Sequence, residues 1–121
     1  MLFRSRKSLK SKNVNLDFKK IIKKYEDIVK KTEKIDKLYI YGAHFQTQFF
    51  IKLGLDENKI INILDNSSIK QNNFLYGTNL LIKKPDFIKD KGKIIILCHM
   101  GSYTEEIKEQ LIKINSQVEF V

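Results

Sequence analysis

The chain contains one cysteine, one proline and no tryptophan among its 121 residues. A single cysteine excludes an intrachain disulfide and a zinc site built from several cysteines of this chain. Such cysteine usage is typical of a reducing compartment, so we expect a cytoplasmic location. No apolar run approaches the roughly 18 residues that a membrane-spanning helix needs. The basic first residues lead into polar ones where a signal peptide would be apolar. The sequence therefore predicts an ordinary globular protein without a membrane span.

Acidic residues are scarce at the beginning of the chain, and the net charge of +9 is unevenly distributed. Residues 1–37 hold 13 Lys or Arg and 5 Asp or Glu, whereas residues 38–121 hold 10 basic and 9 acidic residues. The basic character therefore belongs to the leading segment. Compositional drift toward lysine explains it as well as a selected basic surface does.

This leading segment is expected to contain a flexible part and a helix. Residues 1–14 are polar and basic and predict a flexible lead-in, with a single domain over residues 15–121. Asn15 is a candidate N-cap for a helix that runs to about Lys34. Its apolar residues recur at steps of three and four, which predicts an amphipathic helix. They are Leu16, Phe18, Ile21, Ile22, Tyr25, Ile28 and Val29. The lysine-rich outer face is either a solvated face or a surface for an anion or a partner.

Strand and helix patterns alternate in the rest of the chain. We predict strands at 38–41, 60–65, 80–82, 93–98 and 118–121, and helices at 46–53, 85–89 and 102–114. Alternation of this kind favours parallel strands joined by right-handed crossovers. The expected fold is α/β, a three-layer Rossmann-like doubly wound sheet of about five parallel strands in the order 3-2-1-4-5, preceded by the amphipathic helix.

Ligands of such sheets bind beyond the carboxyl ends of the strands, where the strand order reverses. Both histidines directly follow the two strands that should meet there, His44 after the first and His99 after the fourth. The residues predicted to line a ligand site are Gly42, Ala43, His44, Asp65, His99, Ser102 and Tyr103. Gly42 and Ala43 would donate backbone N–H groups. Asp65 would accept from a sugar hydroxyl, and the histidines and Tyr103 would contact phosphate or sugar.

The chemistry of this site stays open at the level of sequence. Only the first glycine of a dinucleotide fingerprint is present, at Gly42, which argues against bound NAD. His44 and His99 are candidates for a general base, or polar groups that line the cleft. Asp65 is a ligand-binding carboxylate or part of a plain turn. We predict no metal site and no nucleophilic triad, and we interpret Cys98 as an inert core thiol.

Several segments resemble the C-terminal domain of the sugar C-methyltransferase family, whose members methylate nucleotide-linked deoxysugars. The similar segments are Leu38-Tyr39-Ile40-Tyr41-Gly42-Ala43, Leu53-Gly54-Leu55, Ile63 to Gln71 with Asp65-Asn66, Leu75 to Ile82 with Gly77-Thr78, and His99 to Ile107. The resemblance covers roughly residues 17–121. It implies a Rossmann-like domain that helps to bind a nucleotide-sugar. In that family the methyl donor binds a separate upstream domain beside a cysteine-rich zinc domain, and this sequence contains neither.

We therefore expect an accessory or substrate-binding domain of sugar or surface-polysaccharide metabolism that binds a nucleotide-sugar. It would bind no cofactor by itself and would not be catalytic alone, and a methyltransferase subunit or a second copy is the partner to expect. The alternative is a protein-interaction module with a non-functional cleft, which docks through its basic first helix or its last strand. Nucleic-acid binding through the lysines of the first helix is disfavoured, because those lysines lack interleaved exposed aromatic residues.

Overall fold

A computed structural model describes the backbone from residue 2 to residue 121 and the side chains from residue 17 onward. It contains helices α1 (Leu2–Lys31), α2 (Phe45–Lys52) and α3 (Thr104–Ile114). Its strands are β1 (Leu38–Tyr41), β2 (Ile60–Leu64), β3 (Ile82–Lys83), β4 (Ile94–Leu97) and β5 (Val118–Phe120). Short 3-10 helices cover Glu57–Lys59, Pro85–Ile88 and Gly101–Tyr103. No helix in these described residues is both long enough and apolar enough to cross a membrane.

The five strands form one sheet in the order β3-β2-β1-β4-β5. Every neighbouring pair of strands is parallel. The predicted strand order and the α/β class are therefore confirmed. The order reverses between β1 and β4, so the carboxyl ends of these two strands border the switch point of the sheet.

The central strand β1 is buried on both faces, as its uninterrupted apolar sequence predicts. Leu38 and Ile40 point to the face that α1 and α2 cover, where they join a cluster that includes Phe50 of α2. Tyr39 and Tyr41 point to the opposite face, toward Leu111 of α3. Because successive side chains of a strand alternate between faces, this one strand contributes to both halves of the core. The result is the expected three-layer arrangement.

The structure corrects the predicted start of the first helix. The backbone of α1 is helical from Leu2 onward, so the helix begins well before Asn15, which is not its N-cap. The flexibility expected of residues 1–14 stays a prediction. No glycine or proline precedes Gly42, and lysine, arginine and leucine all favour helix, so nothing in the segment interrupts the helix. The domain assignment of residues 15–121 stays a prediction.

Two further element boundaries differ from the expectation. Ser102 lies inside a 3-10 helix, and Tyr103 is the N-cap residue of α3. The third strand is Ile82–Lys83 rather than residues 80–82, because Leu80 and Leu81 turn back and pair with the preceding loop. Short segments of this kind follow their tertiary hydrogen bonds rather than their own propensity.

Candidate functional site

The turn between β1 and α2 forms the floor of the candidate site. Gly42 has a φ angle of 110°, a conformation that side-chain-bearing residues rarely adopt. Its N–H donates to the carbonyl oxygen of Leu64 at 2.8 Å, and its own carbonyl oxygen accepts from Thr47 Oγ1 at 2.6 Å. A sharp turn after β1 is thus fixed from both sides, as the sequence predicts for this glycine.

Asp65 fastens this turn to the end of β2. One carboxylate oxygen accepts from the backbone N–H of Ala43 at 2.8 Å, and the other accepts from the N–H of Ser67 at 2.8 Å. The side chain is buried. The backbone donors of Gly42 and Ala43 are consequently engaged inside the protein and do not point to a ligand as we expected. Both hydrogen bonds of the Asp65 carboxylate position backbone, one in the β1–α2 turn and the other in the loop that follows β2.

His44 serves as the N-cap of α2. Its Nδ1 accepts from the backbone N–H of Gln46 at 3.3 Å, and its Nε2 lies 3.4 Å from Met100 Sδ. An accepting Nδ1 requires the neutral tautomer that carries its proton on Nε2. Burial lowers the pKa of the imidazole, and the Lys70 ammonium lowers it further against a smaller opposing effect of Asp65. His44 is therefore placed to orient α2.

We expect the imidazole of His44 to be neutral at pH 7 in the folded protein. Its contribution to the free energy of unfolding should decrease as the pH is lowered. Its folded-state pKa lies below the unfolded value of about 6.5, so the unfolded chain binds more protons between the two values. The stabilisation from the cap is complete above about pH 6.5 and is lost as the pH falls toward the folded-state pKa. Urea unfolding between pH 5 and pH 8, with NMR titration of the imidazole, measures this.

His44→Asn is the control for this pH dependence, because asparagine is a good N-cap that does not titrate in this range. The variant should keep the helix and lose the part of the pH dependence that belongs to His44. His99 contributes a residual dependence of the same sign, because its pKa is lowered as well. An NMR pKa for His44 above 6.5 would contradict the cap assignment.

His99 lies in a different environment from His44. It lines a basic groove, defined here by Lys20, Lys23, Lys24, Asp27 and Lys31 of α1 together with His99. Burial lowers the pKa of His99, and the Lys108, Lys24 and Lys31 ammonium groups lower it further, although a backbone hydrogen bond with Val121 raises it. Within the described residues no hydrogen bond joins the two imidazoles. The sequence placed them at one site, and the structure places them at two.

A cleft lies beside the β1–α2 turn, and its lining combines two residues of the predicted site, Ala43 and His44, with residues that the sequence did not assign to it. The loop of residues 66–81 carries Lys70, Phe74 and Tyr76 to the same cleft as His44 and Phe45. We call this the aromatic cleft, and its volume is about 340 Å³. Phe45, Phe74 and Tyr76 are 69%, 62% and 89% exposed, respectively. Their unusual exposure marks them as candidates for ligand or partner contacts.

Hydrogen bonds hold the loop of residues 66–81 in a defined shape. Lys70 Nζ donates to the carbonyl oxygen of Ala43 at 2.9 Å, and Gln71 Nε2 donates to the carbonyl oxygen of Asp65 at 2.8 Å. Asn72 adopts a positive φ of 66°, and its N–H donates to the carbonyl oxygen of Ile82 at 2.8 Å. The cleft is therefore largely preformed, as binding sites for small molecules usually are.

The remaining predicted site residues lie away from the aromatic cleft. Ser102 and Tyr103 are exposed in the 3-10 helix before α3 and line neither this cleft nor the basic groove. Cys98 is buried, and burial raises the pKa of its thiol to about 11, which makes it a poor nucleophile. In the part of the chain that the structure describes, no three His, Cys, Asp or Glu side chains are grouped to hold a metal ion.

Sequence and structure comparisons give no further assignment: no protein-family model, curated protein or solved structure matches the chain. The interpretation of the site therefore depends on its own geometry and on the resemblance described above.

Proposed function

We propose that the chain is a ligand-binding domain whose aromatic cleft takes a nucleotide-sugar or a closely related phosphorylated sugar. The strongest support is the composition of the cleft. Lys70 lines the same cleft as three exposed rings at the carboxyl edge of the sheet, those of Phe45, Phe74 and Tyr76. This is the edge where open α/β sheets bind ligands. In this proposal the domain acts in sugar or surface-polysaccharide metabolism and has no methyl-donor site of its own.

Lys70 supplies the group that would bind phosphate. An ammonium has three N–H donors, and among the described residues one of them is accepted, by the carbonyl oxygen of Ala43. This contact fixes the direction of the side chain while leaving donors for a phosphate oxygen. No carboxylate lines the aromatic cleft, so an anionic ligand would meet no like charge on its walls.

The exposed rings supply the apolar part of the recognition. Stacking of a nucleobase on an aromatic side chain contributes about 1–3 kcal/mol, whichever base is present. Asn73 and Gln48 also line the cleft, and each donates its amide N–H to a backbone carbonyl, Asn73 to Ile69 and Gln48 to Tyr76. Their amide oxygens can accept hydrogen bonds from sugar hydroxyls. The volume of about 340 Å³ lies at the lower end of the range for small-molecule pockets, so the cleft would hold part of a nucleotide-sugar and leave the rest in solvent.

We expect Tyr76→Ala to weaken binding of a nucleotide-sugar roughly tenfold or more, because stacking is lost. UDP-glucose and dTDP-glucose are suitable probes, followed by NMR amide shifts and by thermal unfolding. Tyr103→Ala is the matched control, since Tyr103 is 64% exposed and lies outside the cleft. Both variants should fold normally, because neither ring is buried.

This titration shows whether the nucleotide-sugar binds in the aromatic cleft or at the site predicted from the sequence. Shifts confined to Lys70, Tyr76 and their neighbours support the aromatic cleft. Equal loss of affinity in both variants would instead favour a site that includes Ser102 and Tyr103. No shift with either nucleotide-sugar at millimolar concentration would reject the proposal.

Protein docking is a second candidate function, and an exposed apolar surface favours it. Phe18 and Ile21 of α1 are about half exposed. The Phe18 and Phe45 rings both contact Phe49, with centroid distances of 6.4 Å and 4.9 Å. A dimer by light scattering, together with no response to nucleotide-sugars, would support this candidate over the first.

A further inference from the structure

The basic groove combines four lysines with one histidine in a cavity of about 450 Å³. It lies between α1 and the segment that follows β4, and it shares no lining residue with the aromatic cleft. Asp27 is the only carboxylate that lines it. The groove is therefore a second concave surface, and its charge is strongly positive.

Among residues 17–121, no lysine of the groove forms an ion pair, although the Asp27 carboxylate lies in the same groove. The ion pair that the structure records among residues 17–121 joins Lys84 and Asp86, far along the chain from α1. Residues 1–16 contain no Asp or Glu, so no acidic side chain of that segment can compensate the groove. Lys24 and Lys31 also lower the pKa of His99, which is the effect expected of an uncompensated positive field.

The positive charge extends along a line rather than converging on a point. Lys20 and Lys31 are eleven residues apart on one helix, which corresponds to about 16 Å along its axis. A single phosphate group cannot contact both ends of such a row. The backbone of α1 continues as a helix to Leu2, and residues 2–16 add five basic residues to it. The complementary ligand is therefore an extended polyanion.

We propose that the basic groove binds the phosphate backbone of a single-stranded nucleic acid. Proteins that bind single strands without sequence preference combine a positively charged groove that follows the backbone with aromatic side chains that stack on the bases, and the basic groove supplies the first of these two features. The sequence argued against this partner because the lysines lack interleaved aromatic residues, but contacts to phosphate require none. Among residues 17–121, the imidazole of His99 is the only ring that lines the groove, so recognition is expected to be independent of base sequence.

Two double variants of the full chain test this proposal with equal changes in charge. Lys20→Gln with Lys31→Gln removes two charges from the groove, whereas Lys19→Gln with Lys30→Gln removes two exposed charges of the same helix outside it. The probe is a fluorescein-labelled 20-mer of deoxythymidine, followed by anisotropy over a series of salt concentrations. We expect the groove variant to bind roughly tenfold more weakly and to lose about 1.4 from its salt slope.

Asp27→Asn removes a negative charge from the groove, which is the opposite of what the lysine variants do. Glu26→Gln removes a negative charge outside the groove and is its control. Removing the carboxylate from the groove should tighten binding, and the control should change it less. Equal effects of the two lysine pairs would overturn the proposal, because binding would then be a diffuse property of a basic helix. It would also be overturned by absent oligonucleotide binding, by tighter binding of duplex DNA, or by binding only to inorganic triphosphate or anionic lipid vesicles.

Discussion

Replacing Gly42 with alanine is expected to lower the free energy of unfolding by about 3 kcal/mol and the Tm by roughly 10 °C. Two effects add at this position. The φ of 110° is strained for any residue with a Cβ atom, and a Cβ built on Gly42 would lie 2.5 Å from Nε2 of His44. The imidazole would have to leave the N-cap of α2, so Gln46 N–H would lose its acceptor. Urea and thermal unfolding measure the loss.

Gly77→Ala is the matched control for the Gly42 prediction. Gly77 also has a positive φ, of 75°, but no atom lies within 4 Å of its expected Cβ position. This variant isolates the backbone strain of a Cβ atom at positive φ, which we expect to cost about 1–2 kcal/mol. If the two variants lost equal stability, the contact between Gly42 and the ring of His44 would have no energetic role.

The fold was predictable because its signals are local and repeated. Strands β1 and β4 are continuous apolar runs, of which β1 is buried throughout and β4 in its second half. The apolar residues of α3 recur at helical spacing. Alternation of the two patterns left few topologies, and the predicted order of five parallel strands is confirmed. The start of α1 was missed because the basic residues 2–14 have no apolar periodicity, although nothing in them interrupts a helix.

The candidate site was less predictable because long-range contacts build it. His44 follows β1 and His99 follows β4, which suggested that both line one site. In the structure, the side chain of His44 caps α2, whereas His99 faces α1. Lys70 and Tyr76 reach the aromatic cleft because Asp65, Ala43 and Ile82 hold the loop of residues 66–81. One local signal was present: Phe74 and Tyr76 are aromatic residues in an otherwise polar loop.

Asp65→Ala is expected to destabilise the protein by about 3 kcal/mol, because it leaves the backbone N–H groups of Ala43 and Ser67 without their acceptor. A buried donor without a partner costs about 1–3 kcal/mol. The loss should be localised, since these two donors join the β1–α2 turn to the loop of residues 66–81. Urea unfolding measures the total effect, and faster amide exchange at Ala43 and Ser67 shows where the opening occurs.

Asp56→Ala is the control for Asp65→Ala, because it removes a similar contact between a carboxylate and a backbone N–H at an exposed position. The carboxylate of Asp56 accepts from the N–H of Asn58 at 2.9 Å, the same spacing along the chain as Asp65 and Ser67, but the residue is exposed. Water can replace this acceptor, so the expected loss is within about 1 kcal/mol. Because Asp65 holds both walls of the aromatic cleft, its alanine variant should also weaken binding of a nucleotide-sugar, whereas the Asp56 variant should bind normally. Normal ligand affinity in a destabilised Asp65→Ala variant would mean that the cleft does not depend on this link, and that the ligand binds elsewhere.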